Sequence, residues 1–207
     1  MRLELFYDTV SPWSYLAFET LCRYRKAWDL DLVMRPAFLG GVMKATGNVP
    51  PASLPARGVY LLRDLARSSR YFDVPLKFPD DFPTNTIAAM RLLTLIAAEQ
   101  PEKHEALARA LWQRYWGEGQ DVRADSGLIA ACAAADVDVA AIERSANDDN
   151  KGRLREATDE AVARGAFGFP AIFVTDADGD EQMYFGSDRF SLMAHELGLA
   201  WHGPRGP

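Results

Sequence analysis

Apolar and polar positions alternate through Leu3-Glu4-Leu5 and then run together at Phe6-Tyr7, as in a strand entering a buried sheet. The pattern changes at Asp8-Thr9-Val10-Ser11-Pro12. Ser11 suits an N-cap, and Pro12 suits the first helical turn, where a missing N–H leaves nothing unsatisfied. The spacing of Leu16, Thr20 and Tyr24, with Leu21 and Trp28 beside them, predicts a helix over about 12–28. Residues 30–35 alternate again and stop before Pro36, a second strand whose distance from the first suits a right-handed crossover to a parallel partner. Gly40-Gly41, Gly47-Asn48, Pro50-Pro51, Pro55 and Pro75 then break 38–82 into short helical pieces, so this stretch reads as connection and loop. Helical periods dominate over 84–99, 101–116, 125–135, 139–146 and 151–164. Strand grammar returns at 171–174 and 182–185, with Asp176-Ala177-Asp178-Gly179-Asp180 between them as a hairpin turn, and a last helix is expected over about 188–197.

A β-α-β opening and a β-β-α ending thus flank a long helical middle. The two halves can complete one four-stranded sheet, which predicts an α/β protein: a thioredoxin-like fold with an inserted all-helical domain. The expected division is 1–40 plus 166–207 for the thioredoxin-like domain, discontinuous in the chain, and 41–165 for the connection and helical insertion. No internal repeat or low-complexity linker interrupts it.

Composition narrows the chemistry more than the fold. With 207 residues, 48% of them hydrophobic and 25% charged, the chain is an ordinary globular one. A formal net charge of -6, with Lys and Arg scattered, argues against a nucleic-acid partner. Met1 and Arg2 pass straight into strand pattern, leaving no room for a secretory leader, and 127–135 is too short to cross a bilayer. The cytoplasm is the expected address, with an organelle matrix as the alternative and no membrane partner. Cys22 and Cys132 form no CxxC pair and read as core fillers. No metal is expected: His104, His195 and His202 lack ligand spacing. The Asp176–Asp180 run has Gly179 in the wrong place for a calcium loop and no Glu at the twelfth position.

Three element junctions carry groups suited to a ligand. Ser11-Pro12-Trp13-Ser14 begins the first helix, where free N–H groups and the helix dipole favour an anion. Redox proteins of this plan place Cys-x-x-Cys here, because the helix start stabilises a thiolate. Ser-x-x-Ser cannot exchange disulfides but can donate a hydrogen bond to a thiolate brought in by a ligand. The same residues are also what a plain capping serine followed by proline looks like. Gly168-Phe169-Pro170 enters the third strand, where a cis Pro170 would leave the preceding backbone free for an extended ligand, and an ordinary trans proline is the other reading. Phe185-Gly186-Ser187-Asp188-Arg189 opens the last helix, with Ser187 or Asp188 as N-cap and Asp188 able to accept from an ammonium group. A cap with Arg189 in a surface ion pair explains it equally.

Nearly end to end, the chain resembles the kappa-class glutathione transferases and the related 2-hydroxychromene-2-carboxylate isomerases, of the DsbA-like thioredoxin superfamily. The likeness runs through Phe6-Tyr7-Asp8, Ser11-Pro12-Trp13-Ser14-Tyr15, Leu39-Gly40-Gly41-Val42-Met43-Lys44, Gly47-Asn48, Gly165 to Pro170, and Phe185 to Arg189. The resemblance implies glutathione as cofactor, Ser11 as the catalytic donor to its sulfur, and contacts to it from Asn48 and Arg57, the latter commonly a lysine in the family. It implies that Phe169, before Pro170, pairs its backbone with the cysteinyl unit and that Ser187 and Asp188 hold the γ-glutamyl end. Trp13, Tyr15 and Trp116 are the expected substrate pocket for a small hydrophobic or aromatic electrophile, and a homodimer is implied.

Two reactions share this first step. A transferase lets the electrophile leave with the sulfur; an isomerase adds glutathione reversibly and expels it after bond rotation. The expectation is the transferase, with 2-hydroxychromene-2-carboxylate isomerase in aromatic catabolism as the alternative. A redox-inactive thioredoxin-like binding module is the competing reading from another class.

Overall fold

The first alternating segment is a strand whose side chains divide two cores. The computed structural model describes residues 1–123, 125–175 and 179–207. Strand β1 (Arg2–Tyr7) pairs in parallel with β2 (Asp31–Pro36) and antiparallel with β3 (Ala171–Thr175), which pairs antiparallel with β4 (Glu181–Phe185). The sheet order is β2-β1-β3-β4. The register sets Leu3 beside Val174 and Leu5 beside Ile172 on one face, and Phe6 beside Ala171 on the other, because side chains alternate across a strand.

Among the described residues the helices are α1 (Pro12–Tyr24), α2 (Leu39–Thr46), α3 (Pro55–Phe72), α4 (Ile87–Glu99), α5 (Pro101–Trp112), α6 (Asp125–Ala134), α7 (Ala140–Arg144), α8 (Asp148–Ala163) and α9 (Phe190–Glu196). The Leu3 face, α1, α9 and the apolar stripes of α4, α5 and α6 share one continuous core, in which Trp112 and Trp116 are fully buried. The opposite face is smaller. Phe6, Phe173 and Ala171 meet Val42 of α2 and Ala161 of α8 there. Glu4, buried on that face, bonds Arg35 at 2.8 Å and Arg164 at 2.7 Å, and the Arg164 guanidinium lies 4.1 Å over the Phe173 ring.

The pattern of 38–82 is the largest departure from expectation. It holds two helices, one of them the 18-residue α3, rather than connection and loop. Pro55 begins α3 at N1, where proline favours the helix, and the buried stripe is only Leu61, Leu65 and Phe72. A starter was read as a breaker, and a thin stripe gives a weak period. The first helix ends at Tyr24 rather than near Trp28. Helix α5 gives way after Trp112 to a π-helical turn over Gln113–Gly117. The last helix starts at Phe190 after Arg189, with no side-chain cap, so neither Ser187 nor Asp188 caps it. Of the expected hairpin turn, Asp176, Ala177 and Asp178 lie outside the described residues.

Candidate active site

The β1-to-α1 corner is built as its sequence dictates. Ser11 is the N-cap, with φ -88° and ψ 114°. Its oxygen accepts the Ser14 N–H at 3.1 Å, and its hydroxyl donates to the Phe169 carbonyl at 3.1 Å. The Phe169-Pro170 peptide bond is cis. Residues 158 positions apart therefore meet at one point. Of the Ser-x-x-Ser pair Ser11 lines a cavity, whereas the Ser14 hydroxyl is fully buried, with no partner among the described residues.

Two adjoining cavities of ≈ 580 Å³ each open at this corner and share Trp13, Phe169 and Phe185 as a common wall. The first also carries Asp64, Ser187 and Asp188, with aromatic surface from Tyr71, Phe190 and Trp201. The second holds Ser11, Asn48 and Arg57 among apolar groups including Leu39, Met43, Phe82 and Pro83. The Asn48 amide donates to the Phe167 carbonyl at 2.7 Å. Arg57 is exposed and makes no ion pair among the described residues, whereas Asp188 pairs with Arg189 at 2.9 Å. Gly186 has φ 98°, a conformation suited to glycine, and a Cβ there would come within 2.7 Å of the Asp188 carboxylate.

The corner is gripped from the helical side. The Thr9 carbonyl accepts from Trp116 Nε1 at 3.1 Å, and the Thr9 N–H contacts Met90 Sδ at 3.5 Å. Asp8, fully buried, accepts from Thr86, Val10 and Leu39. Burial raises the Asp8 pKa above the usual aspartate value, and these three donors oppose the rise.

Eight expected site residues thus line the shared cleft: Ser11, Trp13, Asn48, Arg57, Phe169, Pro170, Ser187 and Asp188. Tyr15 and Trp116 do not line it. Helix residues two apart point about 200° away from each other, so Trp13 facing the cleft sends Tyr15 into the core, stacked on Trp112 with ring centroids 5.6 Å apart. Trp116 is fully buried behind the wall, 5.5 Å from the Phe82 ring. Sequence reasoning missed the 82–86 segment, which includes a second cis bond, Phe82-Pro83. Its one local signal is a Phe-Pro pair like Phe169-Pro170, a weak one because Phe78-Pro79 carries the same letters.

Comparison with known proteins agrees with this fold. Residues 2–198 match the model of the DSBA-like thioredoxin domain. The chain is 42% identical to Glutathione S-transferase kappa 1 of Rattus norvegicus over 214 aligned positions, covering 99% of this chain and 94% of that protein. It is 29% identical to 2-hydroxychromene-2-carboxylate isomerase of Sphingobium xenophagum, covering 94% and 97%. A solved structure of 2-hydroxychromene-2-carboxylate isomerase superposes with a TM-score of 0.81 at 26% identity, covering 96% of this chain and 95% of that one. The chain belongs to the DsbA-like thioredoxin family, in the branch formed by the kappa-class glutathione transferases and the 2-hydroxychromene-2-carboxylate isomerases.

Proposed function

We propose that the protein is a glutathione transferase that binds glutathione across the two cavities and presents its sulfur to a small hydrophobic or aromatic electrophile. The observation that carries this is the Ser11 hydroxyl at the start of α1, bonded to the Phe169 carbonyl, where a cavity lined by Asp188 adjoins one lined by Arg57. The donor set fits the tripeptide: a carboxylate for its ammonium group, a guanidinium for a carboxylate, and a strand-like backbone at Phe169 for its peptide units. Asn48, Ser187 and Pro170 complete the proposed glutathione surface.

When bound, glutathione supplies the nucleophile: its thiol proton passes to solvent, a sulfur–carbon bond forms, and the leaving group departs with its electron pair. Ser11 donates to the sulfur and, with the N–H groups of the first turn of α1, favours the anion. Trp13, Phe82 and Met43 exclude water from the acceptor side, which holds the reacting carbon over the sulfur. A second copy of the chain is the proposed partner, supported by exposed Val59, Tyr60 and Leu62 on α3. The proposed setting is the cytoplasm, where free thiols such as Cys22 and Cys132 persist.

The isomerase is kept as a second reading because relatives bearing that name match over nearly the whole chain. Product analysis separates the two. Incubation with glutathione and chlorodinitrobenzene is expected to give the conjugate, with glutathione consumed. Rapid isomerisation of the chromene substrate without net glutathione loss, and no conjugate, would overturn the transferase assignment.

A further inference from the structure

Ser11 and the apolar wall around it are joined through one buried carboxylate. Asp8 Oδ1 accepts the Val10 N–H at 3.0 Å and the Thr86 hydroxyl at 2.7 Å, and Oδ2 accepts the Leu39 N–H at 2.9 Å. The Asp8 main-chain carbonyl accepts the Ser11 N–H at 3.0 Å. Four bonds to three segments therefore converge on one residue. Leu39 begins α2, which carries Gly40 and Met43 on the cavity wall, and Thr86 ends the stretch that places Phe82, Pro83 and Thr84 there. Asp8 forms no ion pair among the described residues. An apolar side chain at this position would fill the space without removing a carboxylate from water, so the three donors are the reason a charged group is tolerated.

We infer that Asp8 is a positioning residue for the acceptor side of the cleft, fixing the Ser11 corner relative to α2 and to residues 82–86. The inference rests on the reading of this cleft as a glutathione site with the electrophile held over Ser11. A constellation that must hold two reactants is sensitive to shifts of an ångström, and such shifts appear in the Michaelis constant of the displaced reactant. Ser187 and Asp188 lie in the other cavity and take no bond from Asp8. Ser11, Asn48 and Arg57 share the second cavity with the electrophile, so glutathione binding should respond less than electrophile binding, its γ-glutamyl end being held apart from Asp8.

The test uses the full chain and two pairs of measurements. In Asp8→Asn an amide NH2 must replace one carboxylate oxygen, and in either orientation it confronts a backbone N–H, that of Leu39 or of Val10. Amide hydrogen exchange at Leu39 or Val10 is expected to quicken about tenfold or more, and the Michaelis constant for chlorodinitrobenzene to rise about tenfold. Glutathione affinity by calorimetry should fall clearly less, by about threefold at most.

Thr86→Val removes only the hydroxyl donor, and Thr86→Ser keeps it. The valine variant should raise the electrophile constant about threefold or more and the serine variant restore it. This pair carries the test if Asp8→Asn does not fold. The assignment is overturned if Thr86→Val leaves electrophile binding unchanged, if Thr86→Ser behaves like Thr86→Val, or if glutathione and electrophile binding weaken equally. A wild-type protein that does not bind glutathione overturns the reading of the cleft and this assignment with it. Wild-type binding and turnover with unresponsive variants overturn the role of Asp8 alone.

Discussion

The Ser11 hydroxyl donates to the Phe169 carbonyl at 3.1 Å while its oxygen accepts the Ser14 N–H. The one proton proposed for the glutathione sulfur is thus held by a neutral carbonyl in the structure. A thiolate at the same place competes well for it, because hydrogen bonds to an ionised acceptor are roughly twice as strong as neutral ones. The hydroxyl need only rotate.

Ser11→Ala removes that donor. Turnover with glutathione and chlorodinitrobenzene is expected to fall about ten- to a hundredfold, and the rising limb of its pH profile to move to higher pH as the bound thiol ionises less readily. The cap is lost as well, at about 1 kcal/mol of stability. A variant with an unshifted pH profile removes Ser11 from the mechanism whatever happens to its rate.

Asp188 lines the first cavity and Arg57 the second, and each is proposed to hold a charged group of glutathione. Arg57→Ala and Asp188→Asn should each weaken glutathione binding about tenfold by calorimetry, with turnover at saturation nearly unchanged, since both contacts are the same in ground and transition states. Added salt should shrink the difference from wild type for Arg57→Ala, whose side chain is exposed.

His104 supplies a pH-dependent term in stability. It is buried, 2.8 Å from the Tyr7 hydroxyl, and burial pushes its pKa from 6.5 down to about 4, with Glu105 nearby opposing. A base with a depressed folded-state pKa contributes stability that is fully present above the unfolded value of 6.5 and lost as pH falls toward about 4. Across that window the stability difference between wild type and His104→Gln, read from denaturant midpoints, should change by about 3 kcal/mol in favour of the variant. A difference that is flat with pH would mean that His104 charges freely in the folded protein.

On the far side of the sheet, Glu4 tests an ion network that does not touch the cleft. Burial alone would raise its pKa, but Arg164 and Arg35 outweigh that and hold it below the usual glutamate value. Glu4→Gln leaves two guanidiniums facing a neutral amide. The expected loss is about 2 kcal/mol by chemical denaturation, below the ~3–5 kcal/mol of a fully buried pair because both arginines reach solvent. The loss should fade as pH drops below the glutamate range, while the Michaelis constants near neutral pH stay as in wild type.

Much of the fold was legible in local pattern. The period-two segments became β1 to β4, and Ser11-Pro12 became the cap and first turn of α1. What failed locally was α3, because Pro55 is a helix starter and a breaker in the same letter and only three residues of the helix are buried. The polar part of the proposed site was legible too, since Ser11, Phe169 and Asp188 stand at element junctions. The apolar part was not. Tyr15 and Trp116 were expected at the substrate and lie in the core, whereas Phe82 and Pro83 line the cleft without having been singled out.

The sequence by itself determined the β-α-β opening, the β-β-α ending, the cap at Ser11 and the kinship of the chain, because periodicity, capping and motif spacing are properties of near neighbours. Only the tertiary structure decided what meets at the Ser11 corner. The Ser11 hydroxyl finds a carbonyl 158 residues away and Asp8 finds Thr86 at a separation of 78. Such contacts are set by how the helical layer packs on the sheet, and no local pattern carries that information.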